Sequence, residues 1–83
     1  MKVQLRYFAS IREALGTGQE SVQTRSETLG ALRDELIARG GAYAGSLARG
    51  KAVRMALDQV MCEEAQPLSD GCEVAFFPPV TGG

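Results

Sequence analysis

The first segment of the chain, residues 2–8, alternates polar with apolar side chains. Val3, Leu5 and Tyr7 recur at every second position and would share one face of an extended chain. Phe8 ends the segment on the opposite, polar face. A period of two is typical of a strand that buries one face, so we predict that a β-strand opens the fold.

Two further elements are predicted before residue 25. Residues 9–15 favour a short helix, because Ile11 and Leu15 lie about one helical turn apart and Gly16 is suited to end it. A second strand, centred on Val22, is predicted over residues 20–24.

The main helical pattern begins after Thr28, whose hydroxyl could accept a hydrogen bond from a free N–H of the first turn. Apolar residues then recur at helical spacing, at Leu29, Leu32, Leu36 and Ile37. Gly40 is predicted to cap the C-terminus of this helix. A connection rich in glycine and alanine follows up to Gly50, with one turn of helix predicted over residues 43–47.

The remainder of the chain predicts three strands, over residues 53–57, 60–63 and 73–77. Asp58 and Gln59 would form a tight turn between the first two, and residues 67–71 supply the turn before the third. Pro78 and Pro79 must end the last strand, because proline has no N–H for a ladder hydrogen bond.

This order of elements predicts an α+β fold. A mixed sheet packed on one main helix is the economical way to bury the apolar stripe of that helix. The layout is that of the ubiquitin-like β-grasp. With 83 residues the chain can form one core, so we predict one domain over residues 1–77 and an extended C-terminal tail over residues 78–83.

Composition narrows the classes of function. Nine basic residues face ten acidic ones, which gives no electrostatic reason to expect nucleic acid or an anionic membrane as partner. The N-terminus lacks the apolar run of a signal peptide, and no stretch is long enough to span a bilayer, so a cytoplasmic location is expected. Cys62 and Cys72 lack the spacing of a disulfide scaffold or a zinc site.

The sequence contains no histidine. This removes the Ser-His-Asp and Cys-His arrangements, together with the commonest metal ligand and proton shuttle. We therefore expect no catalytic centre, bound cofactor or metal in this chain, and any chemistry to depend on another kind of group.

Two aromatic residues do not fit the alternation of their strands. Phe8 and Phe77 both fall on the polar face, and in a β-grasp sheet the first and last strands are neighbours. Together with Met61 they could form one exposed apolar patch, which usually marks a binding surface. The alternative is an error in the predicted strand ends, which would bury either ring.

The tail has an unusual construction. Pro78 and Pro79 hold the chain extended, and Gly82 and Gly83 carry no side chains. A terminal carboxylate on such an arm could enter a narrow channel and be activated with ATP by a partner enzyme, for attack by a sulfur or nitrogen nucleophile. The alternative is that the glycine pair is merely a frayed terminus.

Residues 71–83, with the sequence GCEVAFFPPVTGG, resemble the C-terminus of the molybdopterin synthase small subunit, a sulfur carrier. The resemblance extends over the whole chain: residues 2–13 are similar to the opening strand and helix of that family, residues 28–36 to its main helix, and residues 67–71 to its last turn.

The resemblance implies a role for each part of the tail. Gly83, preceded by Gly82, would be adenylated by an enzyme similar to ubiquitin-activating enzymes, using ATP, and converted to a thiocarboxylate. The large synthase subunit, in an assembly of two large and two small subunits, would bind the apolar patch and the tail. The residues implied in that contact are Phe8, Met61, Phe77, Pro78, Pro79, Val80 and Thr81. Sulfur would pass to cyclic pyranopterin monophosphate, forming the molybdopterin dithiolene.

Other signals are weaker. Residues 45–51 match seven positions of a phosphate-binding loop, but Ala52 stands where a magnesium-binding hydroxyl belongs. Arg49, Lys51 and Arg54 form a small basic cluster for which a solvated face is the default, although an acidic partner groove could use it.

Three other functions stay open from the sequence. A thiamine-pathway sulfur carrier shares the fold and the Gly-Gly end. A ubiquitin-like modifier would be conjugated to lysines. A plain interaction module would use the exposed phenylalanines and leave the tail inert.

Overall fold

The computed structural model describes residues 1–79, and their five strands form one mixed sheet in the order β2-β1-β5-β3-β4. The elements are β1 (Lys2–Tyr7), α1 (Ala9–Leu15), β2 (Gln19–Gln23), α2 (Leu29–Ile37), α3 (Gly41–Leu47), β3 (Arg54–Leu57), β4 (Val60–Cys62) and β5 (Glu73–Phe77). All predicted strands and both predicted helices are present. Most observed ends lie within one residue of the predicted ends. Val80, Thr81, Gly82 and Gly83 lie outside the described residues.

The two central strands, β1 and β5, run parallel to each other. Their register pairs Leu5 with Val74 and Tyr7 with Phe76, and all four of these side chains are buried. Every other strand pair is antiparallel. The first and last segments of the described chain therefore meet in the middle of the sheet.

The helix α2 covers the inner face of the sheet. Leu29, Leu32 and Leu36 are fully buried, which confirms the predicted apolar stripe. Thr28 caps the helix as predicted, because its hydroxyl accepts a hydrogen bond from the Ala31 N–H at 3.2 Å. At the end of α1, Gly16 adopts a left-handed conformation with φ of 76° and ends the helix as predicted.

The predicted role of Gly40 is wrong. The helix α2 ends at Ile37 with Ala38 as its cap, and Gly40 instead precedes α3 with φ of 77°. Hydrogen bonds from the Arg39 N–H to the Leu36 carbonyl and from the Gly40 N–H to the Ile37 carbonyl continue the helix end as one tighter 3₁₀ turn, which shifts the left-handed residue two positions along the chain. The helical turn predicted over residues 43–47 exists as the longer helix α3, which buries Leu47 completely.

A carboxylate fastens α3 and the end of α2 to the sheet. Glu20 accepts hydrogen bonds from the Tyr7 hydroxyl at 2.8 Å, the Tyr43 hydroxyl at 2.7 Å and the Arg39 guanidinium at 3.0 Å. Burial alone would raise the pKa of Glu20, but these three donors outweigh it and hold that pKa below its ordinary value. The ionised form is therefore the one that holds the elements together.

The loop between α3 and β3 depends on one buried cation. Arg33 on α2 is only 4% exposed, and its guanidinium donates to the carbonyls of Leu47 at 2.8 Å, Ala48 at 2.7 Å and Lys51 at 3.1 Å. Glu64 lies 3.6 Å away and supplies the opposite charge. Because the loop has few apolar side chains to bury, these hydrogen bonds fix its path in place of a core contact.

Replacing Arg33 with methionine, which keeps much of the volume, should lower the free energy of unfolding by about 2–4 kcal/mol, because carbonyl oxygens lose their charged donor in a buried site. Arg25→Met, at an exposed arginine that forms no ion pair within residues 1–79, is the matched control. Urea unfolding followed by circular dichroism measures both. Equal stability of the two variants would contradict the assigned role of Arg33.

Candidate functional site

The parallel register of β1 and β5 decides where the two unusual phenylalanines lie. Tyr7 and Phe76 are paired, buried and stacked, with ring centroids 6.1 Å apart. The next residue on each strand must then point to the opposite face, because side chains alternate along a strand. Phe8 and Phe77 consequently meet outside the core, with their rings stacked at a centroid distance of 4.6 Å and an interplanar angle of 10°.

The stacked pair is accessible to solvent. Phe8 is 36% exposed and Phe77 is half-buried. The structure therefore brings together the two aromatic residues singled out in the sequence, and neither ring is hidden in the core. Their role in binding a partner stays a prediction.

Met61, the third predicted member, lies on the same outer face but two strands away. It is 49% exposed and is paired with Ala56, which is paired in turn with Ala75 of β5. These alanines are 3% and 6% exposed. They form an apolar floor between Met61 and Phe77, and we call the five residues Phe8, Met61, Phe77, Ala56 and Ala75 the apolar patch.

Sequence reasoning did not identify the two alanines. Ala75 has the same strand parity as Phe77, and Ala56 is two residues from the outward-facing Arg54, so the alternation contained the signal. Alanine carries little weight in a search for exposed apolar residues because its side chain is small. A small residue between two large ones on an outer face is nevertheless what a flat contact surface needs.

A groove of about 1080 Å³ adjoins the patch where the tail begins. One wall is the start of α1, and the opposite wall is the loop that Arg33 holds. The lining residues are Phe8, Ala9, Ser10, Ile11, Ala14, Ser46, Gly50, Lys51, Ala52, Phe77, Pro78 and Pro79. Because Phe8 and Phe77 belong to both features, the apolar patch and this tail-root groove form one continuous surface.

Ala9 at the edge of the groove has a backbone φ of 50°, which is rare for a residue with a side chain. This left-handed residue turns the chain sharply from β1 into α1.

The three cations of the predicted basic cluster do not share one role in the structure. Arg49 turns towards α2, where it bonds the Asp34 carboxylate at 2.9 Å, the Gly30 carbonyl at 3.0 Å and Glu64. Lys51 lines the tail-root groove, and Arg54 is paired with Phe77 across β3 and β5. Arg49 thus has a structural role, whereas the other two cations border the patch.

The segment that resembles a phosphate-binding loop does not have the required context. Residues 45–51 lie at the end of α3 and lead into β3, the reverse of the strand-to-helix order that such a loop needs. Within residues 1–79, no group of histidine, cysteine, aspartate or glutamate side chains could hold a metal ion. No helix of the described chain is both long and apolar enough to cross a membrane.

The last described residues place the root of the tail. Pro78 is half-buried against the groove and Pro79 is exposed. The predicted tail residues beyond them, Val80 to Gly83, are outside the described part of the chain, so their predicted roles are not tested by its geometry.

Comparison with known proteins decides the family. A model of the ThiS family matches residues 5–83. The chain belongs to the ThiS family. The molybdopterin synthase sulfur carrier subunit of Escherichia coli strain K12 is 41% identical over 81 residues, covering 98% of this chain and 99% of that protein. The subunit of the same name from Haemophilus influenzae is 35% identical, covering 93% and 94%. The resemblance to the molybdopterin synthase small subunit is therefore confirmed.

Solved structures confirm the β-grasp fold. The SAMP1 crystal structure from Haloferax volcanii superposes with a TM-score of 0.79 at 22% identity over the full length of both chains, which is evidence for the fold alone. A complex of subunits 1 and 2 of the molybdopterin-converting factor from Helicobacter pylori contains a chain with a TM-score of 0.69 and 26% identity, covering 100% of both chains.

The neighbours Phe76 and Phe77 should respond differently to truncation. Phe76→Ala removes a fully buried ring and should cost about 3–5 kcal/mol of stability. Phe77→Ala removes a half-buried ring and its stacking on Phe8, and should cost less than about 2 kcal/mol. Urea unfolding of the two variants measures the difference. Similar losses would mean that Phe77 belongs to the core and not to a binding surface.

Proposed function

We propose that this chain is a sulfur carrier subunit of a molybdopterin synthase and that the C-terminal carboxylate of Gly83 carries the sulfur. The observation that carries the proposal is the match, over almost their whole length, to relatives that bear this name. The apolar patch supports it, because the patch lies where the tail leaves the domain and a partner bound there would be close to the tail.

The proposed sulfur transfer takes place at the C-terminal carboxylate of Gly83. An oxygen of the Gly83 carboxylate attacks the α-phosphorus of ATP on a partner enzyme, pyrophosphate leaves, and an acyl-adenylate forms. Hydrosulfide, delivered by a sulfur donor, then adds to the carbonyl carbon and AMP leaves. The resulting thiocarboxylate donates its sulfur to cyclic pyranopterin monophosphate in building the dithiolene, and the carboxylate is regenerated with an oxygen from water.

The chain contributes presentation rather than catalysis in this scheme. It has no histidine, the commonest general acid–base residue, so we expect general acid–base catalysis to come from a partner. Glycine at the last two positions lets the carboxylate pass through a channel that side chains would block. The catalytic residues are expected on the large synthase subunit, and the ATP site on an activating enzyme similar to ubiquitin-activating enzymes.

The family relationship also indicates a partner, the large synthase subunit. The Helicobacter pylori structure is a complex of subunits 1 and 2 of its converting factor. We propose that this chain likewise binds a large subunit, in an assembly of two large and two small subunits. The apolar patch would provide the contact, because Phe8, Phe77 and Met61 are exposed apolar groups on one face.

Mass spectrometry of the intact chain tests the carrier chemistry. After incubation with the activating enzyme, ATP and a sulfur donor, the chain should gain the mass that corresponds to exchange of one oxygen for sulfur, at Gly83. Deletion of Gly82 and Gly83 should abolish the gain while leaving binding to the large subunit within about threefold, because the apolar patch is intact.

A chain that gains no mass, when a control carrier does gain it with the same enzyme, would rule out the proposal and favour a plain interaction module. Appearance of the chain in isopeptide-linked adducts, without thiocarboxylate, would instead favour a ubiquitin-like modifier. Thiocarboxylate formation without binding to the large subunit would favour the thiamine-pathway carrier.

The proposed contact surface is tested by Phe77→Asp. A carboxylate at the centre of the patch should weaken binding to the large subunit at least about 100-fold, since a charge would be buried in an apolar contact. Val60→Asp is the matched control: Val60 is 67% exposed on the edge strand β4, with the strand parity opposite to that of Met61. Calorimetric titration measures both, and equal affinities of the two variants would refute the assigned surface.

A further inference from the structure

Three cations lie around the Phe8–Phe77 end of the apolar patch. Arg54 is exposed and is paired with Phe77 across the strands, and Lys51 is exposed at the edge of the tail-root groove. Arg6 lies over the Phe8 ring, with its guanidinium carbon 5.9 Å from the centroid. Among the described residues that line the groove, Lys51 is the only one with an ionisable side chain.

This group of cations contrasts with the charge of the chain as a whole. The whole chain has a formal net charge of −1, so an excess of cations around one surface does not follow from composition. Carboxylates lie at the Met61 end of the patch, where Glu63 and Glu64 line a depression with Met61 and Arg54. Glu73 is the carboxylate beside Arg6, at 3.2 Å, and it partly neutralises that arginine.

Lys51 and Arg54 differ from the other cations of the same region. Arg33 and Arg49 are held by Glu64 and Asp34, and their guanidinium groups also bond backbone carbonyls. Among residues 1–79, neither the Lys51 ammonium nor the Arg54 guanidinium takes part in an ion pair. Arg33 nevertheless holds the carbonyl of Lys51 in place, so the position of this lysine beside the groove is defined by the fold.

We propose that the apolar patch docks a protein surface in which carboxylates lie beside an apolar centre, and that Lys51 and Arg54 pair with those carboxylates. The inference rests on the proposed function, since the partner tested is the large synthase subunit. Charges at the border of an interface act mainly on the rate of encounter and on the choice of partner, whereas the apolar centre provides affinity. The two phenylalanines and the two cations therefore have separable effects.

A second copy of this chain is a poorer occupant of the same surface. A twofold symmetric contact centred on the Phe8–Phe77 pair would bring Lys51 and Arg54 of one copy towards the same residues of the other. Like charges facing each other oppose association. Their position beside the phenylalanines thus disfavours self-association through an exposed apolar surface.

Three charge reversals test the proposal: Lys51→Glu, Arg54→Glu and the control Arg25→Glu. Arg25 is exposed and changes the net charge equally, but it follows Thr24, whose N–H bonds the Met1 carbonyl at the end of β1 remote from Phe8. Stopped-flow fluorescence gives the association rate constant of each chain with the purified large subunit over a range of salt concentrations. Circular dichroism checks that each variant is folded.

At low salt, Lys51→Glu and Arg54→Glu should each lower the association rate constant about tenfold and reduce its dependence on salt, because the reversed charge repels the carboxylates of the partner. Arg25→Glu should change the rate less than about twofold. Reversed chains that associate as fast as the unmodified chain would overturn the proposal and leave the proposed function standing. An unmodified chain that does not bind the large subunit would overturn both.

Sedimentation of the isolated chain provides the second arm. An isolated, unmodified chain that sediments as a monomer supports the proposal. A dimer of the unmodified chain that Phe77→Asp abolishes would show that the surface binds a second copy, and would overturn it.

Discussion

The parallel pairing of β1 with β5 is the constraint on which the rest of the structure depends. It places the two ends of the domain side by side in the centre of the sheet, with Tyr7 level with Phe76. Strand alternation then separates each pair of adjacent aromatic residues into one that fills the core and one that faces outward. A shift of one residue in this register would turn one strand over, exposing either Tyr7 or Phe76 and burying Phe8 or Phe77 in its place, and would disrupt both the core and the patch. Core stability and the proposed contact surface are thus consequences of the same hydrogen bonds.

Much of this arrangement could be predicted from local patterns. The alternation of Val3, Leu5 and Tyr7, the cap at Thr28 and the stop at Gly16 are local signals with a direct physical cause, and each is found in the structure. Phe8 and Phe77 could be identified because an aromatic residue at a polar position conflicts with the strand pattern. Their contact also required the expectation that the first and last strands are neighbours, which came from the order of elements.

Other features depend on distant parts of the chain and gave no local signal. An arginine in the middle of α2 reads as an exposed residue on a helix, but Arg33 is buried because the carbonyls of a loop fourteen to eighteen residues away need donors. The extent of α3 is set by the burial of Leu47 and by the bond between Tyr43 and Glu20, and its glycine-rich sequence has weak helix propensity of its own. The cap of α2 was misplaced because two glycines with left-handed backbones follow each other, and the pattern does not show which of them ends a helix.

The central position of β5 also has a mechanical consequence. A force applied to the chain beyond Pro79 is transmitted along β5, which is held on both sides by β1 and β3. The ladder hydrogen bonds lie across the direction of such a pull, so they share the load instead of opening one after another as they would at the end of a peeled hairpin. An enzyme that binds the terminus could therefore exert force on it without unfolding the domain. The resistance to that force is greatest at β5, the strand from which the tail leaves.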